Sequence, residues 1–317
     1  MINKIFTIIL TILFLIPSPF AQGENKKTEK WGIISLCSVY LRRTPSHASE
    51  ITTQALMGTP VNILEKSKNG WFHIQLPDGY ECHVHPESIA IKSEKAMDKW
   101  KSSERYIYTA HQGFVYAKAE KGAMPISDMV IGRIVEKAGK AKGKYIPVKL
   151  PDGRKGFVHK KEVEKLSVWC QKEPNINKML HTAKMMLGSA YFWGGTSIKG
   201  CDCSGLSKIV YYAGGIILRR DADMQAETGE PIPVGDYKKY RKGDLLFFGN
   251  DKEHITHVAI YIDNGKFIHS SGRVRYNSLN PDADDFYELS PVCVSRILTR
   301  LDTNGITTVK MHPWYFK

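Results

Sequence analysis

Tyr191-Phe192-Trp193-Gly194-Gly195, a five-residue connection, and then Cys201-Asp202-Cys203-Ser204-Gly205-Leu206 form the stretch on which the reading of this chain turns. Beyond it Leu206, Ile209, Val210 and Ala213 recur at helical spacing up to Gly214-Gly215. Cys203 therefore opens a helix. A thiol in that place meets the positive end of the helix dipole and unpaired amide N–H groups, which favour thiolate and predict a pKa below the free value of about 8.5. That setting suits a nucleophile, although a lone cysteine at a helix start is more often plain packing. Upstream, Ile176, Met179, Leu180, Ala183, Met186 and Leu187 mark another amphipathic helix, with Asn175 as its N-cap. The composition changes after Glu173-Pro174, so a new domain is expected over residues 175–317.

A cysteine nucleophile needs a base. Downstream of Arg241-Lys242-Gly243-Asp244-Leu245-Leu246-Phe247-Phe248 lies His257-Val258-Ala259-Ile260-Tyr261-Ile262, a strand headed by His257. Asp263-Asn264-Gly265 reads as a turn into a second strand, Lys266-Phe267-Ile268-His269-Ser270. A three-residue loop pairs Ile262 with Lys266 and sets His269 opposite Ala259, two positions from His257, so both imidazoles share one sheet face. Diagonal neighbours of this kind are roughly 7–8 Å apart or somewhat less at Cβ. His257 is then placed to act as base, with His269 holding its second nitrogen. A two-residue loop would put them on opposite faces.

The preceding part of the chain is a repeat. Leu76-Pro77-Asp78-Gly79 recurs as Leu150-Pro151-Asp152-Gly153, and the same offset carries Gly58 to Gly132, Val61 to Val135, Val84 to Val158 and His85 to His159. Each copy reads as short alternating strands, such as Val61–Leu64 and Trp71–Leu76, joined by Asn-Gly and Asp-Gly turns. Two small β-barrels are expected, over residues 30–100 and 101–168. His83 and His85 alternate on a strand and read as solvated side chains rather than metal ligands. The lysines from Lys137 to Lys144 read as a solvated hairpin tip.

Composition sets the outer limits. At 317 residues, 42% hydrophobic and 24% charged, the chain has length for two or three packed units and material for their cores. Lys4 followed by the apolar run Ile5–Ile16, Pro17 and the small Ala21 has the layout of a cleaved secretory signal over residues 1–21, too short to span a bilayer. The mature chain is then exported, periplasmic or extracellular, with no transmembrane segment. Its formal charge, +13 overall and +12 without Lys4, suits an anionic cell envelope, and export argues against nucleic acid as partner. Six cysteines are too few for a disulfide-dense scaffold, and Cys201 and Cys203, with one residue between them and no second pair, do not fit a zinc knuckle. No metal site is expected.

Taken together, Tyr-x-Trp-Gly-Gly, Asp-Cys-Ser-Gly-Leu, Gly-Asp-Leu-x-x-Phe, His-Val-x-Ile-Tyr-Ile and Phe-Ile-His-Ser resemble the NlpC-type papain-like cysteine peptidases of bacterial cell walls, over residues 175 to 300. The paired barrels resemble bacterial SH3-like domains of secreted wall enzymes, which makes the chain similar to the three-domain branch that cleaves γ-D-glutamyl–diamino acid bonds in peptidoglycan stem peptides. The resemblance implies an α+β papain-like catalytic domain behind two all-β SH3-like barrels, with Cys203 as nucleophile, His257 as base and His269 as orienting residue. It places Tyr191, Trp193, Asp202 and Ser204 along the substrate cleft and requires no cofactor. It further implies that the first barrel closes the cleft, so that peptides with a free N-terminal L-Ala are accepted. Asp202 and Asp223 are the carboxylates offered for that ammonium, and Glu50 and Tyr80 the contacts from the barrel side. Cys201 departs from the pattern, since relatives carry an apolar or aromatic residue there, and a Cys201–Cys203 disulfide, strained and silencing, is disfavoured. An N-acetylmuramoyl-L-alanine amidase on the same fold, or a non-catalytic wall-binding protein, are the alternative functions.

Overall fold

Alternating apolar side chains run along the strands of each repeat, and each repeat closes its own sheet. The computed structural model describes residues 30–317; the expected signal peptide, residues 1–21, lies outside them. The first repeat contains β1 (Trp31–Ile34), β2 (Ser38–Arg42), β3 (Ile51–Leu56), β4 (Pro60–Lys66), β5 (Phe72–Gln75), β6 (Glu81–Val84) and β7 (Ile89–Lys92), in the order β3-β2-β6-β5-β4-β1-β7. Helix α1 (Glu94–Ser102) follows, with the Ser93 side chain accepting the Ala96 N–H as cap. The second repeat contains β8 (Arg105–Tyr108), β9 (Gln112–Tyr116), β10 (Pro125–Val130), β11 (Ile134–Lys137), β12 (Tyr145–Lys149), β13 (Lys155–His159) and β14 (Val163–Lys165). Its order, β10-β9-β13-β12-β11-β8-β14, is that of the first sheet strand for strand.

The repeated Leu-Pro-Asp-Gly turns explain part of that identity. In both, the Asp side chain accepts the amide two residues on, Tyr80 at 3.1 Å and Arg154 at 3.0 Å, and the glycine takes a left-handed φ, 83° at Gly79 and 94° at Gly153. Inward residues such as Val39, Leu41, Val61 and Ile74 fill the first core, and Val115, Val135, Val148 and Val158 the second. Met57 of the first repeat is buried in the second core, so the two barrels are fused.

After the short helix α2 (Leu166–Trp169) come α3 (Ile176–Lys184), the two-residue strands β15 (Thr196–Ser197) and β16 (Gly200–Cys201), α4 (Cys203–Tyr212), β17 (Ile216–Leu218) and α5 (Ala222–Ala226). The C-terminal sheet then forms from β18 (Glu230–Ile232), β19 (Leu245–Gly249), β20 (Ile255–Asp263), β21 (Lys266–Ser271), β22 (Arg273–Ser278) and β23 (Cys293–Arg296). Its order is β18-β23-β19-β20-β21-β22, and β24 (Ile306–Thr308) pairs separately with β17. One sheet face, with Leu245, Phe247, Val258, Ile260 and Ile268, packs on Leu206, Ile209 and Val210 of α4. Burying each such side chain contributes about 1.5–3 kcal/mol, which seats α4 firmly on the sheet. The opposite face gathers Tyr240, Leu246, Phe248, Ala259, Tyr261 and Phe267. This is the α+β arrangement expected, behind an all-β N-terminal region. Among the described residues no helix is long and apolar enough to cross a membrane.

The β20–β21 hairpin corrects one step of the reading. Asp263 pairs with Lys266, so the loop has two residues rather than three, and both are left-handed, Asn264 at φ 49° and Gly265 at φ 81°. Asn-Gly favours that type I′ turn because its twist matches the strands. The register shifts between Tyr261 and Asp263, leaving Ile262 as a bulge, and beyond it Tyr261 faces Phe267 and Ile260 faces Ile268. Turn and bulge cancel, and the two histidines share a face as the three-residue loop would have placed them.

Candidate active site

Asp202 is the N-cap of α4: its Oδ1 accepts the Gly205 N–H at 2.6 Å, which starts the helix at Cys203. Gly205 has no alternative here, because a Cβ on it would meet the Gly195 carbonyl oxygen at 1.9 Å. The Gly194-Gly195 loop thus lies directly on the first turn of the helix. Asp202 Oδ2 accepts the Gly194 N–H at 3.0 Å and ties the loop down.

The same carboxylate is saturated by an arginine. Arg220 Nη2 lies 2.5 Å from Asp202 Oδ2, and its Nη1 donates to Ser204 Oγ at 2.9 Å, while Ser204 Oγ donates to Asp202 Oδ1 at 3.2 Å. Arg220 and Asp202 are 2% and 5% exposed, so this ion pair is removed from water and depends on both partners being present. Asp202 and Ser204, expected along the cleft, are therefore brought beside Cys203 but already bonded within the protein. Asp223 is not brought there: it is exposed in the first turn of α5 and accepts the Met224 N–H. The half-buried carboxylate nearby is Asp221, which stands 3.7 Å from Arg220 and neighbours Tyr80, and burial pushes its pKa up.

Across the loop the first barrel reaches the site. Trp193 Nε1 donates to Glu50 Oε1 at 2.8 Å, and Arg43 holds the other Glu50 oxygen at 2.7 Å. Thr196 of β15 donates through its N–H to Gln54 Oε1 at 2.9 Å and through its hydroxyl to the Gln54 carbonyl at 2.8 Å. Lys208 on α4 pairs with Asp78 at 2.5 Å. Between these contacts a groove is lined by Arg43, Thr52, Tyr80, Arg219 and Met224. Tyr191 is half-buried at the other side of the sulfur; burial and the neighbouring Cys203 and Asp202 push its phenol up to about 12.

The histidines form a row across three strands. His257 Nε2 lies 2.8 Å from His269 Nδ1, and His269 Nε2 lies 2.9 Å from Asn277 Oδ1. Tyr287 and Phe267 set ring edges against His269, with centroids 5.3 and 5.1 Å away. Cys203 touches the head of the same strand, for the Val258 backbone N–H points at its sulfur.

Electrostatics depart from the expected thiolate. Burial pushes the Cys203 thiol up to about 11, with the Asp202 charge adding to the rise and the Val258 and Ser204 amides and Arg220 opposing it. The sulfur's residue is only 9% exposed, and removal from water outweighs the partial charge at a helix end. Burial, then the neighbouring His269 and Arg275, press His257 down to about 3, and burial and Arg275 press His269 down to about 4. Burial thus favours the neutral thiol of Cys203 and the neutral imidazole of His257 over their charged forms. Cys201 is fully buried with its thiol pushed up to about 12 by burial, and all six cysteines are free, with no Cys201–Cys203 bond.

Arg220, Asp221, Arg275, Asn277 and Tyr287 were not singled out from the sequence. Arg220 and Asp221 lie in the run Arg220-Asp221-Ala222-Asp223, and what sets Arg220 apart is the burial of its side chain, 2% exposed. Asn277 carries no motif; it reaches His269 because Gly272 turns the chain into β22, with His269 opposite Arg275 and Phe267 opposite Asn277.

Comparison with known proteins meets this geometry. Residues 188–285 match the NlpC/P60 family, and residues 41–89 match the bacterial dipeptidyl-peptidase SH3 domain. The γ-D-glutamyl-L-lysine dipeptidyl-peptidase of Bacillus cereus is 27% identical over 245 residues, covering 71% of this chain and 68% of that protein. Dipeptidyl-peptidase 6 of Lysinibacillus sphaericus is 26% identical over 244 residues, covering 74% of this chain and 87% of its own. The crystal structure of an NlpC/P60 family protein from Bacillus cereus superposes with a TM-score of 0.71 at 22% identity, over 84% of this chain and 99% of that one, and shares its fold. The chain thus joins N-terminal SH3-like β-barrels, the first of which matches the bacterial dipeptidyl-peptidase SH3 domain, to a cysteine peptidase domain that matches the NlpC/P60 family.

Proposed function

We propose that this protein is an exported peptidase that hydrolyses the γ-D-glutamyl–L-diamino acid bond of peptidoglycan stem peptides with a free N-terminal L-Ala. The units would run 30–100, 101–168 and 175–317, with Cys203, His257 and His269 as the catalytic set. His257 takes the Cys203 proton and Sγ attacks the γ-carbonyl carbon. The oxyanion forms at the mouth of α4, where the Cys203 amide can donate to it. His257 then returns the proton to the departing diamino acid nitrogen, and water hydrolyses the thioester. His269 keeps the His257 ring oriented throughout.

The observation that carries the specificity is the hydrogen bond from Trp193 to Glu50, which sets a carboxylate of the first barrel against the cleft. Arg220 holds Asp202 and Asp223 lies away from the cleft on α5, so the ammonium of L-Ala is assigned to Glu50, which meets Trp193 at the cleft and shares its other oxygen with Arg43, with Tyr80 beside the groove. The name of the Bacillus cereus relative, which specifies a γ-D-glutamyl-L-lysine bond, supports the scissile position. An N-acylated substrate brings an amide where the carboxylate needs a cation, a mismatch of roughly 1–3 kcal/mol or more. The test is kcat/KM on L-Ala-γ-D-Glu-L-Lys and its N-acetyl form with the full chain. The free peptide should be cleaved at least about tenfold faster; equal rates would move the reading to an endopeptidase of intact peptidoglycan.

A further inference from the structure

The histidine row does not end at His269. Asn277, 9% exposed, places its Oδ1 at 2.9 Å from His269 Nε2 and donates through Nδ2 to the Asp285 carbonyl at 2.8 Å. That carbonyl is itself fixed, since it also accepts the Ser278 N–H at 2.9 Å, and the returning loop closes with Tyr287 N–H donating to the Ser278 carbonyl at 2.8 Å. The two ends of an amide are chemically distinct, and only the NH2 end can face a carbonyl. The orientation of Asn277 is therefore set by the backbone of the loop.

From this orientation we infer that Asn277 is a positioning residue that fixes the tautomers of both imidazoles. The inference rests on the proposed roles of Cys203 and His257. An amide oxygen only accepts, so His269 Nε2 carries the hydrogen. A neutral imidazole has one N–H, which leaves His269 Nδ1 bare. That bare nitrogen is 2.8 Å from His257 Nε2, which must then carry its own hydrogen, and His257 Nδ1 is left as the free lone pair. The Asp285 carbonyl thus specifies, through three side chains, which nitrogen of His257 can act as base. Neutrality of both rings, on which the argument depends, agrees with their burial and with Arg275 beside them.

The direct test is the imidazole nitrogen chemical shifts of the full-length protein at neutral pH. His257 and His269 should both show Nε2–H and bare Nδ1; an Nδ1–H tautomer at His269 would overturn the inference. Kinetics give a second arm. Asn277→Leu should lower kcat on the order of 10²-fold with KM nearly unchanged, because the base is present but wrongly protonated. Asn277→Asp keeps the acceptor, so it should recover most of kcat and, by favouring the protonated row, move the acid limb of the pH profile upward. A merely structural asparagine predicts the reverse, with the buried carboxylate facing the Asp285 carbonyl the worse of the two. A folded Asn277→Leu protein with wild-type kcat contradicts the proposal, and nitrogen shifts of the unmutated chain decide it even if that variant does not fold. Full activity in Cys203→Ala would instead overturn the underlying catalytic assignment, whatever the tautomers.

Discussion

The two barrels share every strand and every neighbour, yet equivalent positions do different things. Tyr40 of the first packs its ring 5.6 Å from Phe192 of the catalytic domain, whereas its counterpart Phe114 meets only Tyr116 of its own barrel among the aromatic rings, at 6.1 Å. Glu50 bonds Trp193; its counterpart Met124 is 73% exposed. Asp78 is buried against Lys208, its side chain 4% exposed, while Asp152 pairs only with Arg154 of its own turn, at 2.7 Å, and is 30% exposed. Identical topology therefore does not imply identical use. What separates the copies is which of them lies against the Gly194-Gly195 loop, where a Cβ on Gly194 would meet the Ile51 carbonyl at 2.5 Å. One copy lies against the site, and the other, joined to it at Met57, holds the catalytic domain elsewhere, through Asp128 to Lys199 and Arg105 to the Tyr315 carbonyl.

The largest effect lies outside both barrels and leaves them intact. Cys203→Ala and His257→Ala should each lower kcat by on the order of 10⁴-fold or more without changing the thermal transition, since nucleophile and base act as a unit. His269→Asn should retain part of the activity, because it loses orientation rather than a reacting atom. Wild-type turnover in Cys203→Ala would end the comparison, for the first barrel would then wall off nothing.

Next in size is the contrast between the repeated aspartates. Asp78→Ala leaves the largely buried Lys208 ammonium with only the Leu218 carbonyl and no counter-charge, and should destabilise the protein by about 3 kcal/mol. Asp152→Ala removes an exposed pair and should cost about 0–1 kcal/mol. Denaturant titration of both variants measures the gap, and similar losses would show that burial does not distinguish the two copies.

The pH dependence sharpens how sealed the site is. The raised Cys203 thiol keeps its proton until well above neutral pH, so the thiolate fraction grows as pH rises towards about 11. Alkylation of Cys203 by iodoacetamide, followed by mass spectrometry, should therefore keep increasing between about pH 7 and 10. A plateau already below pH 8 would mean that the helix end and His257 outweigh burial, as the sequence alone suggests.

Much of this architecture was legible before any coordinates. The offset that carries Leu76-Pro77-Asp78-Gly79 onto Leu150-Pro151-Asp152-Gly153 marked the duplicated sheet, because the turn depends on local side-chain-to-backbone bonds that sequence displays directly. The start of α4 at Cys203 was legible for the same reason, with Asp202 as its cap. Properties that depend on exclusion from water were not. Neither the saturation of Asp202 by Arg220 nor the raised thiol follows from spacing, and both reverse an expectation drawn from residue type. The hairpin shows a third case, in which Asn264-Gly265 set the turn and an unsignalled bulge at Ile262 restored the face.

The central claim is that the first barrel, and not its twin, reads the substrate's N-terminus. Substituting glutamine at the paired positions isolates it: Glu50→Gln removes the charge beside Trp193, and Met124→Gln changes the equivalent exposed site of the second barrel. The measurement is the ratio of kcat/KM for L-Ala-γ-D-Glu-L-Lys to that for its N-acetyl form in each variant. The account predicts that Glu50→Gln collapses the ratio by about tenfold, as expected for losing one charge-assisted contact, while Met124→Gln leaves it at the wild-type value. An unchanged ratio in Glu50→Gln, or an equal fall in both, would contradict it.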